Sequence, residues 1–323
     1  MTSARQKIDY NDVVKHRNVS FNLDEAKIPR YWLDKDPWLT HYMNAIFCNV
    51  PRGERFVMKA TTKQLDKISD PSIRKAAIAF IRQEGSHAKA HDGLNKVLAS
   101  QGLPIKNAGM MVDAIFSAYD RYLPDVMKFA FAATGEHFTA TLSAAMLENP
   151  ELWDDTPEDV AALAFWHFVE EVEHKSVSFD VYKDTCGEGA YSYAVLMATL
   201  GLGVSTLFTA AHLSWIYLLV KDKQITNVRS AAKTAKKLLF SPGIFTKTFV
   251  SEVVPFLSPK FHPWDNDNRF MINVWKEKYD ETGDPVQAYH AFRQWHAAQN
   301  GSTYSPNRGS EKVAAKTNVQ AIA

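Results

Sequence analysis

Two Glu-x-x-His pairs, Glu84 with His87 and Glu171 with His174, alternate along the chain with two further acids, Glu54 and Glu136. A spacing of three is close to one helical turn, so each pair projects from one face of its helix. Buried acids and imidazoles of this density are costly without compensation. Two such pairs on two helices, with single Glu residues on two others, form the ligand set of a carboxylate-bridged two-metal centre inside a four-helix bundle. One pair arises readily by chance among 36 acids and 11 histidines. Two pairs in the order single, pair, single, pair do not.

Local signals place these residues on helices. Pro51 suits a first helical turn and opens a segment running to about Ile68. Asp70-Pro71 reads as a cap followed by proline, starting a helix that continues to about Ser100 and stops at Gly102. Phe80, Glu84, His87, His91, Leu94 and Leu98 share its inner face. A third helix spans Met110 to Leu147, with a break expected near Pro124, and its small residues beside Glu136 leave room for a metal or a substrate. Thr156-Pro157 reads as another cap, opening a helix with Leu163, Trp166, His167, Glu170, Glu171, His174 and Ser178 on one stripe and ending near Gly187. No alternating segment of strand length appears, so the chain is expected to be all-α.

The expected division is an irregular lead segment over 1–36, a metal-binding bundle over 37–188, an apolar helix with accessory helices over 189–300, and a disordered tail over 301–323. Residues 189 to 220 carry no charged side chain, long enough to cross a bilayer, and Lys221, Lys223, Arg229, Lys233, Lys236 and Lys237 follow. A single crossing with that polarity would place the metal-binding segment outside, and the polar stretch Met1–Asp12 has no apolar core of an export signal. Membrane contact through 189–220 therefore stands beside two other readings, a helix buried on the bundle and a subunit contact in a homodimer. The net charge of +1 and the lack of a basic stripe argue against nucleic acid. Two cysteines, Cys48 and Cys186, exclude a thiolate cage and fit a reducing cytoplasm.

Several motifs resemble a bacterial family labelled predicted metal-dependent hydrolases. They are Pro51-Arg52-Gly53-Glu54-Arg55-Phe56, the run from Ile81 to His91, Gly135-Glu136-His137-Phe138-Thr139-Ala140, the run from Trp166 to Ser176, and Phe261-His262-Pro263-Trp264. More distantly, the ligand order is similar to that of ferritin-like diiron proteins, which implies a ferritin-like four-helix bundle with additional C-terminal helices. His91, His137 and His167 exceed the usual two histidines and resemble the histidine-enriched diiron N-oxygenases.

Glu54, Glu84, His87, Glu136, Glu171 and His174 are the expected ligands, with Glu54, Glu84 and His87 on one ion, Glu171 and His174 on the other, and Glu136 bridging, with Glu84 or Glu171 as a further bridge. The bland alternative for each acid is an ion pair, which Arg52 and Arg55 offer Glu54. His91, His167 and Glu170 read as extra ligands or as partners that orient ligands; His137 reads as structural. Carboxylates and imidazoles without thiolate suit two Fe ions, with Mn or a mixed Mn/Fe pair as alternatives. The expected function is an O2-dependent diiron oxidase or oxygenase acting on a hydrophobic or aromatic small molecule. With no nicotinamide or flavin motif, it needs an external electron donor. A two-metal hydrolase is the rival reading; a metal-storage protein is a third.

Overall fold

A computed structural model of the protein describes residues 14–240, 251 and 253–306, and among these every regular element is helical. The helices are α1 (Pro37–Phe47), α2 (Val50–Thr62), α3 (Pro71–Ser100), α4 (Ile105–Ala108), α5 (Met110–Tyr122), α6 (Asp125–Glu148), α7 (Glu158–His174), α8 (Val177–Cys186), α9 (Ala190–Lys221), α10 (Val228–Ala235), α11 (Arg269–Thr282) and α12 (Pro285–Gln299). α2 packs on α3, α3 on α7, α7 on α6 and α6 on α2, so four helices enclose one space.

Helix ends follow local chemistry where capping is strong. Asp70 accepts a 2.8 Å hydrogen bond from the Ser72 amide, with Pro71 in the first turn. Gly102 adopts φ +83°, a left-handed conformation that glycine takes without the steric cost of a side chain. Asp70→Ala is expected to cost about 1 kcal/mol, the usual loss for an N-cap, read as a lower urea midpoint at unchanged m-value.

Three boundaries differ from expectation. The α2 segment ends at Thr62, and a separate 3-10 turn, Leu65–Lys67, follows. Pro157 itself occupies the α7 cap position, and Thr156 makes no capping hydrogen bond. The stripe expected to run to Gly187 breaks immediately after His174. No glycine or proline marks that break; its cause is tertiary. Lys175 Nζ reaches the Asn266 carbonyl at 2.6 Å and Asn268 Oδ1 at 2.9 Å, while Trp264 Nε1 donates to Ser176 Oγ at 3.0 Å. His262 Nε2 lies 2.9 Å from Asp180 Oδ1. The Phe261–Trp264 motif is thus a clamp on the α7–α8 junction, behind His174.

The lead segment is built into the core. Arg17 is buried, and Arg30 and Tyr31 both bond Asp222 at the end of α9. One apolar cluster unites Ile28 and Trp32 with Phe47, Leu94, Trp166, Trp275 and Phe292, crossing every expected boundary from the lead segment to α12. α9 lies against α6 and α1. Gly203 permits the approach, because a Cβ there would sit 3.3 Å from the Phe131 ring. In the expected disordered tail, residues 301–306 are described, and Tyr304 packs under Arg293 and bonds His290 at 2.8 Å. Residues 307–323 lie outside the described residues, as does Met1–Asp12.

Candidate metal centre

Helical spacing brings seven donor residues to the centre of the four-helix enclosure. α7 supplies His167, Glu171 and His174 on one stripe, α3 supplies Glu84 and His87, and α2 and α6 supply Glu54 and Glu136. All seven are buried. They form two groups, Glu54–His87–His167–Glu171 and Glu84–Glu136–Glu171–His174, in each of which one donor atom per residue lies within 4.8 Å of the others. In the first, His167 Nε2 is 3.0 Å from Glu171 Oε1 and 3.8 Å from Glu54 Oε1, and His87 Nδ1 is 3.6 Å from Glu171 Oε1. In the second, His174 Nε2 is 3.1 Å from Glu84 Oε1, 3.1 Å from Glu136 Oε2 and 3.6 Å from Glu171 Oε1.

This grouping differs from the expected one. Glu171, a candidate second bridge beside Glu136, belongs to both groups and Glu136 to one, because Glu171 sits on α7 with an imidazole one turn to each side. Glu84 joins His174 across the space rather than Glu54, although His87 Nδ1 remains 3.6 Å from Glu84 Oε2. Glu170, His91 and His137 lie outside both groups. His137 stacks on Phe256 with ring centroids 4.5 Å apart.

Partners behind the donors fix their directions. His87 Nε2 donates to Glu170 Oε2 at 3.1 Å, leaving Nδ1 facing inward. His174 Nδ1 donates to Gln83 Oε1 at 3.1 Å, leaving Nε2 facing inward. Gln83 in turn donates to Glu173 Oε2 at 2.8 Å, and Arg17 binds both Glu173 (2.8 Å) and Glu170 (3.0 Å). Arg17 therefore closes one hydrogen-bonded chain from His87 to His174. His91 Nε2 lies 2.6 Å from His167 Nδ1, so His167 presents Nε2 to Glu171. Such outer partners set the tautomer and orientation of ligating imidazoles. Arg17, Gln83 and Lys276, which reaches Glu173 at 2.7 Å, were not singled out from the sequence. No local pattern signals them: two of the three lie far from the ligand motifs, and Gln83 adjoins one without a distinguishing spacing.

The residues fit bound metal on two grounds. Both Glu84 oxygens, His87 Nδ1, Glu136 Oε2, Glu171 Oε2 and His174 Nε2 are buried and make no hydrogen bond, an arrangement that native interiors rarely tolerate without a ligand. Charge points the same way. Arg17 and Lys276 neutralise Glu170 and Glu173, and among the described residues no Arg or Lys pairs with Glu54, Glu84, Glu136 or Glu171. Four carboxylates without a basic partner suit cationic metal.

Without the ions, protons carry part of that charge. Burial opposes the His87 imidazolium, but Glu170 and Glu84 outweigh it and hold its pKa up at about 10. His174 is likewise held well above the ordinary imidazole range, against burial, by Glu84 and Glu171. Burial, with Glu84 and Glu171 beside it, pushes Glu136 up to about 8. Glu171 stays well below the usual range despite its burial, because His174 and His167 face it. Ligation requires the deprotonated forms. Loading at pH 7 is thus expected to release protons, and affinity is expected to rise as pH climbs through about 8 towards 10. Calorimetric titration in two buffers of different ionisation enthalpy measures the release. Zero protons released would contradict this electrostatic picture.

A cavity of about 170 Å3 between α2, α5, α6 and α9 ends on Glu54, Glu136 and His167. Its walls are apolar, with Val57, Phe116, Phe131, Leu142 and Leu207 prominent. A Cβ at Gly53 or Gly135, both on its wall, would meet nothing within 4 Å. A larger surface cleft of about 490 Å3 beside His16, Arg74 and Arg82 touches no donor residue, so of the two it is the smaller that reaches the centre.

Fold and site together define an all-α protein built around a buried carboxylate–imidazole centre able to hold metal. A family model described as "predicted metal-dependent hydrolase" matches residues 15–267, and the chain belongs to that family. The matched span holds Arg17, every donor residue and the Phe261–Trp264 clamp, but not α11 or α12. No curated protein and no solved structure matches the chain.

Proposed function

We propose that the protein is a dinuclear metal enzyme, loaded with two iron ions, that uses O2 to oxidise an apolar small molecule. One observation carries the reading: two donor groups sharing Glu171, drawn from Glu and His alone on four packed helices. This is the donor chemistry of di-iron and di-manganese carboxylate bundles, whose ferritin-like architecture the four-helix enclosure suggests. Glu54, His87, His167 and Glu171 would hold one ion, and Glu84, Glu136, Glu171 and His174 the other. When bound, the pair supplies O2 reduction, and manganese can replace iron in such a donor set.

The chain's own contribution is placement. Glu170 and Gln83 orient His87 and His174; Phe116, Phe131 and Leu207 exclude water from the cavity and favour an apolar substrate. Electrons come from a partner protein or small reductant.

A second reading, two-metal hydrolysis of an ester, amide or phosphoryl centre, is favoured by the family description. The two are separated by loading the chain with Fe(II) and following O2 uptake in the presence of ascorbate, against Zn(II)-loaded chain given p-nitrophenyl esters without O2. Uptake that scales with iron up to two ions per chain supports oxidation. Ester cleavage by the zinc form, with no uptake by the iron form, transfers the assignment to hydrolysis.

A further inference from the structure

α9 presents two contrasting faces. One is held by the protein: Ser214 Oγ donates to the Ala108 carbonyl at 2.7 Å, Trp215 Nε1 to the Trp38 carbonyl at 3.0 Å, and Thr206 lies 2.6 Å from the Tyr119 hydroxyl. The other carries no charge and faces outward. Phe208, Leu213, Ile216 and Val220 share one broad arc of it, with exposures of 47% or more. The mean hydropathy of the most apolar stretch is 1.8, yet only 28% of that stretch is buried. A core helix of that composition would be mostly covered.

Two further observations say what covers it. At the carboxyl end of the stripe Lys221, Lys223, Arg229 and Lys236 are exposed, with Ile225 and Val228 exposed among them, and no acidic side chain pairs with any of these four among the described residues. The neighbouring Lys233 and Lys237 are occupied by Asp34. An apolar stripe ending in exposed cations without acidic partners complements a bilayer surface carrying anionic headgroups. Secondly, the stripe is continuous with the cavity. Phe208 belongs to both, and Leu207, Ala211 and His212 of the same helix line the passage whose far end is Glu54, Glu136 and His167.

We infer that α9 docks the protein flat on an anionic membrane surface, and that the cavity beneath Phe208 draws a membrane-dissolved, apolar substrate down to the metal centre. The helix lies on the bilayer and does not span it. Crossing would tear its inner face from α6 and α1, breaking the bonds of Ser214 and Trp215. His212 Nδ1 donates to the Phe208 carbonyl at 2.8 Å, so the polar groups along the helix are largely satisfied within the protein and cost little at the interface. The delivery step rests on the metal-enzyme reading; the docking does not.

The test is co-sedimentation of the full chain with vesicles of phosphatidylcholine alone and of phosphatidylcholine with phosphatidylglycerol, on metal-free and metal-loaded protein. Binding is expected only to the anionic vesicles, to weaken with salt, and to be the same with and without metal. Lys223→Glu with Arg229→Glu is expected to lower partitioning by about fivefold or more per site, the worth of one basic residue near an anionic surface. Phe208→Glu with Ile216→Glu is expected to abolish it. Should these variants fold poorly, the same sedimentation on Lys223→Gln with Arg229→Gln, exposed changes that leave the apolar stripe intact, decides the matter: binding to the anionic vesicles as strong as that of the unmodified chain would overturn the inference. Failure of the unmodified chain to bind either vesicle overturns the inference, as does light scattering that shows a dimer which Phe208→Glu converts to monomer. Metal content is measured separately, so a chain that binds anionic vesicles but takes up no metal when loaded removes only the metal-enzyme reading and the delivery step that rests on it.

Discussion

Glu171→Gln is expected to reduce metal binding from two ions per chain to one or none, and to abolish turnover. The substitution keeps shape and volume but removes the charge that both donor groups share. Glu170→Gln, one residue away, provides the contrast. Glu170 lies outside both groups and acts on His87 through a 3.1 Å hydrogen bond, so its loss is expected to weaken one ion by roughly 10–100-fold, the usual cost of removing an orienting partner. Metal content by mass spectrometry after gel filtration separates the two variants. Two tightly held ions in Glu171→Gln would show that the shared carboxylate is a feature of packing and not of ligation.

Arg17→Ala carries the largest expected effect on stability. The Arg17 side chain is 2% exposed and lies 3.0 Å from Glu170 and 2.8 Å from Glu173, whose side chains are fully buried. Removing it leaves two interior carboxylates short of a partner, with Lys276 on Glu173 as partial relief. Losing one side of such a buried network costs about 3–5 kcal/mol. For a chain of 323 residues that corresponds to a fall in melting temperature of about 4–7 °C. The triple variant Arg17→Met, Glu170→Gln, Glu173→Gln is expected to recover much of the loss, since it removes the charges together. A loss below about 1 kcal/mol in Arg17→Ala would mean that solvent reaches Glu170 and Glu173 freely, against their burial.

How much of this is legible in the sequence follows from the range of each signal. Glu84 with His87, and Glu171 with His174, are close to one helical turn apart, and a local spacing is enough to aim them together. Asp70, Pro71 and Gly102 mark α3 by local chemistry, and Pro124 marks the break between α5 and α6. The turn after His174 leaves no local mark, because its cause lies some 90 residues away in Asn266 and Asn268. Arg17 was illegible for the same reason: its partners are Glu170 and Glu173, and the lead segment reads as irregular. Which acid is shared depends on how four helices are rotated against one another, which spacing within each helix does not specify. His167 shows the limit. Its position one turn before Glu171 was readable, but its choice of Nε2 for the centre is set by His91 on α3.

Anomalous scattering from crystals of the metal-loaded protein, collected on both sides of the iron absorption edge, tests the central claim most directly. The account predicts two peaks flanking Glu171, one among Glu54, His87 and His167 and the other among Glu84, Glu136 and His174. A single peak, or density only at the protein surface with these side chains turned to one another, would contradict it.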